Sequence, residues 1–193
     1  MFIAFEGMDG VGKTTVAKAI AKKFNYEFKE SPLKELFKID TRLYNEICNN
    51  VNQNTENMIL KSWFYALGNI YTKVTSQNKN VVVDRHLVSN YYWNATNETE
   101  EMFNFLLKII GKPDLTIVLY ANNVTRVNRI KKRNKTDEDL LDPNKLKVGY
   151  DKMITYLNKN QMEHVIIDTT YLNLEEVITV VEKFIIKYFN LEI

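Results

Sequence analysis

Residues 2–15 read FIAFEGMDGVGKTT, and this stretch sets the reading of the whole chain. The chain holds six glycines in 193 residues, yet Gly7, Gly10 and Gly12 crowd together beside Lys13, Thr14 and Thr15. GMDGVGKT (7–14) has the spacing G-x-x-x-x-G-K-[ST], and it lies between an apolar strand-like run and a helical pattern, which is the context that spacing needs. Glycines there let the backbone turn tightly around a phosphate, so that amide N–H groups point inward and the helix start adds positive dipole. A plain βα turn does not require Gly-Lys-Thr at this spacing.

Working outward, short runs rich in β-branched residues recur as FIAF (2–5), VVVD (81–84), LTIVLY (115–120) and HVIID (164–168), with YEFKE (26–30) weaker. Each is followed by a helical pattern, over 13–24, 33–48, 55–77, 98–110, 122–133, 143–160 and 173–189 in turn along the chain. Such alternation predicts an α/β protein with a five-stranded parallel sheet flanked by helices in three layers. The length suits a single domain spanning 1–193. The polar stretch KKRNKTDEDLLDP (131–143) reads as a mobile surface loop, a lid over about 131–142, or simply a solvated connection.

Composition excludes several classes. Lys plus Arg number 26 against 24 Asp plus Glu, so no global field marks a nucleic-acid-coating protein. Cys48 is the lone cysteine, and His86 and His164 stand isolated, which leaves neither a disulfide nor a thiolate or zinc site to expect. MFIAFEG lacks a basic leader and no run is long enough to span a bilayer, so a soluble cytoplasmic protein with no membrane partner is expected.

With a phosphate cradle in place, an anionic nucleotide is the natural ligand. Lys13 would reach the β and γ phosphates of ATP and Thr14 would offer its hydroxyl to Mg²⁺. In VVVDRHLVSN (81–90), Asp84 closes an apolar strand that would lie beside the cradle, where it could hold Mg²⁺ through water, with Arg85 facing the same cavity. Alone, Asp-Arg at a strand end reads equally well as a local ion pair. Arg129, Lys132 and Arg133 share roughly one helical face, from which a closing loop could bring cations onto a transferring phosphoryl group; a solvated helix end is the bland alternative.

These segments together resemble the thymidylate kinase family, which implies a P-loop kinase fold with a mobile lid. FIAFEGMDGVGKTT is similar to its opening, DRHLVSN to its Asp-Arg-aromatic-x-x-Ser segment, PDLTIVLYANNVTRVNRIKKR to its fourth strand and lid-leading helix, and HVIIDTTYLNLEEVITVVEKFI to its last strand and closing helix. KLKVGYDKMI resembles the helix after the lid. The resemblance implies ATP contacts from Gly7, Met8, Asp9, Gly10, Val11, Gly12, Lys13, Thr14, Thr15, Arg129, Thr169 and Thr170. It implies acceptor contacts from Asp9, Lys29, Glu30, Phe64, Arg85 and Ser89, with Asp9 on the sugar hydroxyl, Phe64 stacked on the base and Arg85 on the acceptor phosphate. Catalytic roles fall to Lys13, Arg85, Arg133 and Asp9, with Thr14 and Asp84 toward Mg²⁺.

Three departures concern the acceptor. Gly68 stands where the family has an arginine four residues after the stacking aromatic, KESP (29–32) replaces Arg-Glu-Pro-Gly so that Lys29 stands for an arginine, and Asp137-Glu138 replaces Asp-Arg. The expected activity is phosphoryl transfer from MgATP to a deoxynucleoside monophosphate, with dTMP favoured and a homodimer implied. Two rivals stay open: a deoxynucleoside kinase in which Glu30 acts as base to a 5′-hydroxyl, and a catalytically silent ATP-binding module.

Overall fold

The computed structural model describes residues 1–30, 32–54, 56–133, 140 and 150–192. Strand β1 (Phe2–Glu6) runs through the middle of the molecule with Ile3, Ala4, Phe5 and Glu6 wholly buried. It is flanked by β3 (Val81–Asp84) and β4 (Leu115–Tyr120), with β2 (Glu27–Glu30) and β5 (His164–Asp168) at the edges, giving the parallel order β2-β3-β1-β4-β5. A strand covered on both faces reads as a continuous apolar run, which is why FIAF, VVVD and LTIVLY carry no polar alternation. All five strands fall where the sequence predicts them.

Helices α1 (Lys13–Phe24), α2 (Pro32–Phe37), α3 (Thr41–Asn54), α4 (Met58–Thr75), α5 (Leu87–Asn94), α6 (Glu100–Ile110), α7 (Asn123–Arg133), α8 (Asp151–Lys159) and α9 (Leu174–Phe189) flank the sheet. The main core joins Ile3 and Phe5 of β1 and Ile117 and Leu119 of β4 to Val16 and Ile20 of α1, Phe103 and Leu106 of α6 and Val181 and Ile185 of α9. Asn173 caps α9 in a reciprocal box, accepting from Glu176 N (3.0 Å) while the Glu176 carboxylate accepts from Asn173 N (2.8 Å).

The helix expected over 33–48 is two helices. Lys38 adopts a left-handed backbone (φ 53°) and ends α2, and Asp40 starts α3 by accepting from Leu43 N at 2.9 Å. Helix α5 falls outside the ranges that the periodicity outlined, because its eight residues are mostly buried all round and carry no clean stripe. Most of the expected lid and the start of the 143–160 helix lie outside the described residues, which resume at α8.

The strand registers bring the carboxyl ends level: Phe5 pairs with Asp84 and Glu30 with Asp84. At β1 the chain turns to β3 on one side and β4 on the other, the switch point at which open α/β sheets take ligands. Glycine is fixed at the exit of β1 by packing. Gly7 has φ 134°, and a Cβ there would stand 2.3 Å from the Leu119 carbonyl oxygen of β4. Gly7→Ala is expected to cost at least about 2 kcal/mol, or about 4–8 °C in Tm, read by thermal denaturation.

Candidate active site

The loop between β1 and α1 wraps the mouth of a cavity of about 1310 Å³. Gly12 ends the loop in the left-handed region (φ 96°) and caps α1, so its carbonyl starts the helix by accepting from Val16 N at 3.0 Å. Gly10 is needed for a different reason. A Cβ on it would sit 2.7 Å from the Arg126 carbonyl oxygen, so α7 packs directly on the loop.

Lys13 is buried and donates from Nζ to the Met8 carbonyl at 2.8 Å, with the Asp9 carboxylate 3.8 Å away. Burial, and then the neighbouring Arg85, push its ammonium down to about 8. Burial alone would raise the Asp9 carboxyl, but Arg85, Lys13 and Arg133 overcome it and hold the group at about 2. Asp9 is thus an anion at any physiological pH, paired directly with Arg85.

Arg85 follows β3 with φ 70°, a left-handed conformation that a side-chain-bearing residue holds at a cost of order 1–2 kcal/mol. Its surroundings enforce it. Arg85 N donates to Phe5 O at 2.9 Å, and Glu6 next along β1 accepts from His86 N (2.9 Å), Ser89 N (3.2 Å) and the Ser89 hydroxyl. Ser89 Oγ in turn accepts from Arg85 Nη1 at 3.3 Å. Burial raises the Glu6 carboxyl above its ordinary range, opposed by these bonds and by Arg85.

Thr14 donates its hydroxyl to Asp84 Oδ2, and Asp84 Oδ1 is buried with no hydrogen-bond partner. An orphaned carboxylate oxygen beside a threonine hydroxyl, both lining the cavity, suits a hard cation carried in by phosphates. Among the described residues no cluster of three His, Cys, Asp or Glu could hold a metal by itself. Such a cation would take the rest of its shell from the nucleotide and water.

On α7, Arg129 and Arg133 line the cavity, while Lys132 is exposed and does not. The working stripe is Arg126, Arg129 and Arg133, at i, i+3 and i+7. Arg126 is buried and donates from Nε to Asp9 O at 2.8 Å. Arg129 donates to Thr169 O (2.7 Å), Thr169 Oγ1 (3.0 Å), Val11 O (3.3 Å) and Leu172 O (3.3 Å), tying helix, loop and the exit of β5 together.

Of the residues singled out from sequence, Asp9, Gly10, Val11, Gly12, Lys13, Thr14, Thr15, Glu30, Asp84, Arg85, Ser89, Arg129 and Arg133 line the cavity. Six do not. Gly7 and Met8 lie behind the loop, Met8 in the core. Thr169 and Thr170 are buried under it, Thr169 donating to Tyr120 O (2.9 Å) and Thr170 accepting from Asn122 N (3.0 Å), and the residues that reach the cavity are Leu172, Asn173, Leu174 and Val177. Lys29 turns away, because successive strand residues alternate faces, and gives its ammonium to Thr75 Oγ1 (2.9 Å) and Glu27 (3.1 Å). Phe64 misses the cavity face of α4, which is set by Met58, Lys61, Tyr65 and Gly68 at i, i+3, i+7 and i+10; Tyr65 enters instead, with Phe64 edge-on at 5.1 Å.

Sequence reasoning passed over Glu6, Arg126, Lys61 and Tyr65. A signal existed for two of them: an acid ending an otherwise apolar buried strand, and an arginine one turn before Arg129.

The model of the family described as "Thymidylate kinase" matches residues 5–180. The chain belongs to the thymidylate kinase family. Its members are nucleoside monophosphate kinases that use ATP. The chain is 29% identical to the "Probable thymidylate kinase" of Methanocaldococcus jannaschii over 92% of its own length and 91% of that protein. It is 24% identical to the "Thymidylate kinase" of Onion yellows phytoplasma over the full length of both. Among solved structures, a deoxyadenosine kinase from M. mycoides superposes with TM-score 0.70 at 18% identity, covering 96% of this chain and 98% of that one. A thymidylate kinase from Ehrlichia chaffeensis follows with TM-score 0.59 at 19% identity, covering 96% and 98%. Among the described residues of this kinase no helix is long and apolar enough to cross a membrane.

His86 couples folding to pH below neutrality. It is buried at the cavity edge, its ring edge-on to Phe2 at 5.1 Å, with Nδ1 unpartnered; burial, with Lys73 adding to it, lowers its pKa to about 4. The folded state holds the neutral ring while the unfolded chain takes up a proton below about 6.5, so stability present above that pH is lost as pH falls toward 4. By chemical denaturation, the change in stability between pH 7 and 4.5 is expected to be about 2 kcal/mol more unfavourable in wild type than in His86→Phe. Asp9 contributes only below about 4.

Proposed function

We propose that this kinase transfers the γ-phosphoryl group of MgATP to the 5′-phosphate of dTMP. The observation that carries the proposal is the orphaned Asp84 Oδ1 beside Thr14, at the foot of a loop whose Lys13 shares the cavity with Arg85, Arg129 and Arg133. An oxygen of the acceptor phosphate would attack the γ-phosphorus as the bond to the β-bridging oxygen breaks, with ADP leaving. Little covalent work falls to the protein, and its part is positioning and charge.

Lys13 would leave Met8 O for the β and γ phosphates. Thr14 and Asp84 would hold Mg²⁺, which would supply positive charge to the phosphates. Arg85 would gather the acceptor phosphate, with Asp9 fixing it from behind and orienting the sugar. Arg133, the last residue of α7 and part of the segment assigned as a lid, would add charge as that segment closes. The adenine would lie along Leu172–Leu174 and Arg129.

Gly68 explains why the arginine expected at its position is missing. A Cβ there would stand 3.0 Å from Pro32 Cγ and 3.3 Å from Leu33 Cγ, so the first turn of α2 fills the space. Since Lys29 turns away, the grip on an acceptor phosphate rests on Arg85 and Arg133. The same observation favours a second reading. Glu30 lines the cavity, held by Lys18 at 2.7 Å, where it could take the proton of a nucleoside 5′-hydroxyl.

A single domain and a homodimer complete the proposal. Leu60, Trp63 and Leu67 on α4 and Phe105 and Ile109 on α6 are exposed apolar residues, which supports a second copy as their cover.

ADP release from MgATP with dTMP, dUMP, dCMP, thymidine or deoxyadenosine tests these readings. Turnover with monophosphates supports the first, turnover confined to nucleosides supports the second with Glu30 as base, and ATP binding without turnover leaves a silent module. Lys13→Met is expected to cut turnover about a thousandfold or more while Tm stays within about 3 °C, because its ammonium serves ligand and its stem alone packs.

A further inference from the structure

Among the described residues, the five lysines and arginines that line the cavity divide by place. Lys13 and Arg85 stand at the β1 and β3 ends, and Arg129 and Arg133 on α7, all within the phosphate region. Lys61 stands elsewhere. Helices α4 and α5 run side by side in opposite directions: Asn69 meets Asn90 (3.5 Å), while Ser62 Oγ donates to Asn94 O (3.2 Å). Since α5 starts beside Arg85, residues 58–62 of α4 lie at the end of the cavity farthest from the phosphate site.

That far end is walled by Tyr44, Cys48 and Asn52 of α3, one helical face at i, i+4 and i+8, opposite Met58, Lys61 and Tyr65 of α4. Lys61 is the charged side chain there among the described residues. Its Nζ donates to the Asn52 carbonyl at 3.0 Å, and no described carboxylate pairs with it. Tyr65 donates to Asn52 Oδ1 at 3.0 Å, which turns the amide so that its NH₂ is the group left over. Burial pushes the Tyr65 phenol up to about 12, so it stays a donor at neutral pH. An ammonium has three donors and no acceptor. Lys61 therefore keeps two unspent donors and no acceptor, while Tyr65, its proton given to Asn52, keeps only lone pairs.

We infer that Lys61 selects the base of the acceptor, admitting bases with an exocyclic oxygen and rejecting those with an exocyclic amine. In a pyrimidine nucleotide the ring atom opposite the sugar bond is C4, so a nucleotide with its phosphate at Arg85 points its 4-substituent at this end. A 4-oxo group accepts from Lys61; a 4-amino group meets a donor and leaves two polar groups unpaired, a mismatch worth about tenfold to a hundredfold or more in specificity. This inference rests on the kinase reading above and deepens it.

The test compares kcat/KM for dUMP and dCMP, which differ at position 4 and in the proton on the adjoining N3, in wild type, Lys61→Gln and Lys61→Glu, with folding checked by circular dichroism. Wild type is expected to favour dUMP by at least about tenfold. Lys61→Gln, whose amide can present either face, should bring the ratio toward one, and Lys61→Glu, an acceptor only, should invert it, with the KM for ATP unchanged in both. A wild-type preference for dCMP, or a ratio unmoved in both folded variants, overturns the inference while leaving the phosphoryl-transfer reading intact. Turnover of nucleosides alone overturns the monophosphate reading instead, and deoxyuridine against deoxycytidine then judges Lys61. If no acceptor turns over, calorimetric binding of dUMP and dCMP in the presence of a non-hydrolysable ATP analogue gives the same ratio.

Discussion

A buried carboxylate organises the reacting end of this molecule. Glu6 is wholly buried at the end of the central strand, and it is tolerable there because each of its oxygens is taken up by backbone or hydroxyl donors from the turn into α5. Removing those donors would leave a desolvated charge, so the turn after β3 has no freedom to relax. Arg85 is held in a left-handed backbone for that reason, and Ser89 is held where it can steady the guanidinium. The strain at Arg85 and the burial of Glu6 are two sides of one arrangement, in which stability is given up locally to fix the direction of a cation.

Charge balance around the loop follows from that fixed cation. Asp9 sits between Arg85 and Lys13, and its depressed pKa shows how strongly the two cations depend on it. Arg126, buried behind the loop, grips the Asp9 carbonyl and so keeps the carboxylate from swinging away. Without a nucleotide, Lys13 satisfies itself on Met8 O. Binding phosphates exchanges one carbonyl for several anionic oxygens, so the cavity is preorganised for charge that arrives with the ligand.

The sheet, the glycine loop after β1 and the place of Asp84 beside it were all legible in the sequence, because each depends on local spacing: apolar runs, glycines at fixed offsets, an acid closing a strand. What escaped depends on the rotation of elements about their own axes. Phe64 and Tyr65 are adjacent, and choosing between them needs the orientation of α4 to within a third of a turn. Lys29 and Glu30 differ by one position on a strand, hence by a whole face. Thr169 and Thr170 lie buried beneath the cavity wall that Leu172, Asn173 and Leu174 of the same connection form. Glu6 escaped for another reason, since its meaning rests on donors that lie 80 and 83 residues away.

Helix α2 accounts for the largest departure from the family pattern. With its first turn seated on Gly68, the helix face that elsewhere carries an arginine becomes a packing surface, and any larger side chain at that position has to displace Pro32 and Leu33. Charge is thereby withdrawn from the middle of the acceptor region. It remains at two places: beside the P-loop, where phosphate belongs, and at Lys61, two helical turns along α4 toward α3. A ligand bridging those two places must carry its negative charge at one end and a hydrogen-bond acceptor at the other, which is the form of a nucleotide bearing a keto base.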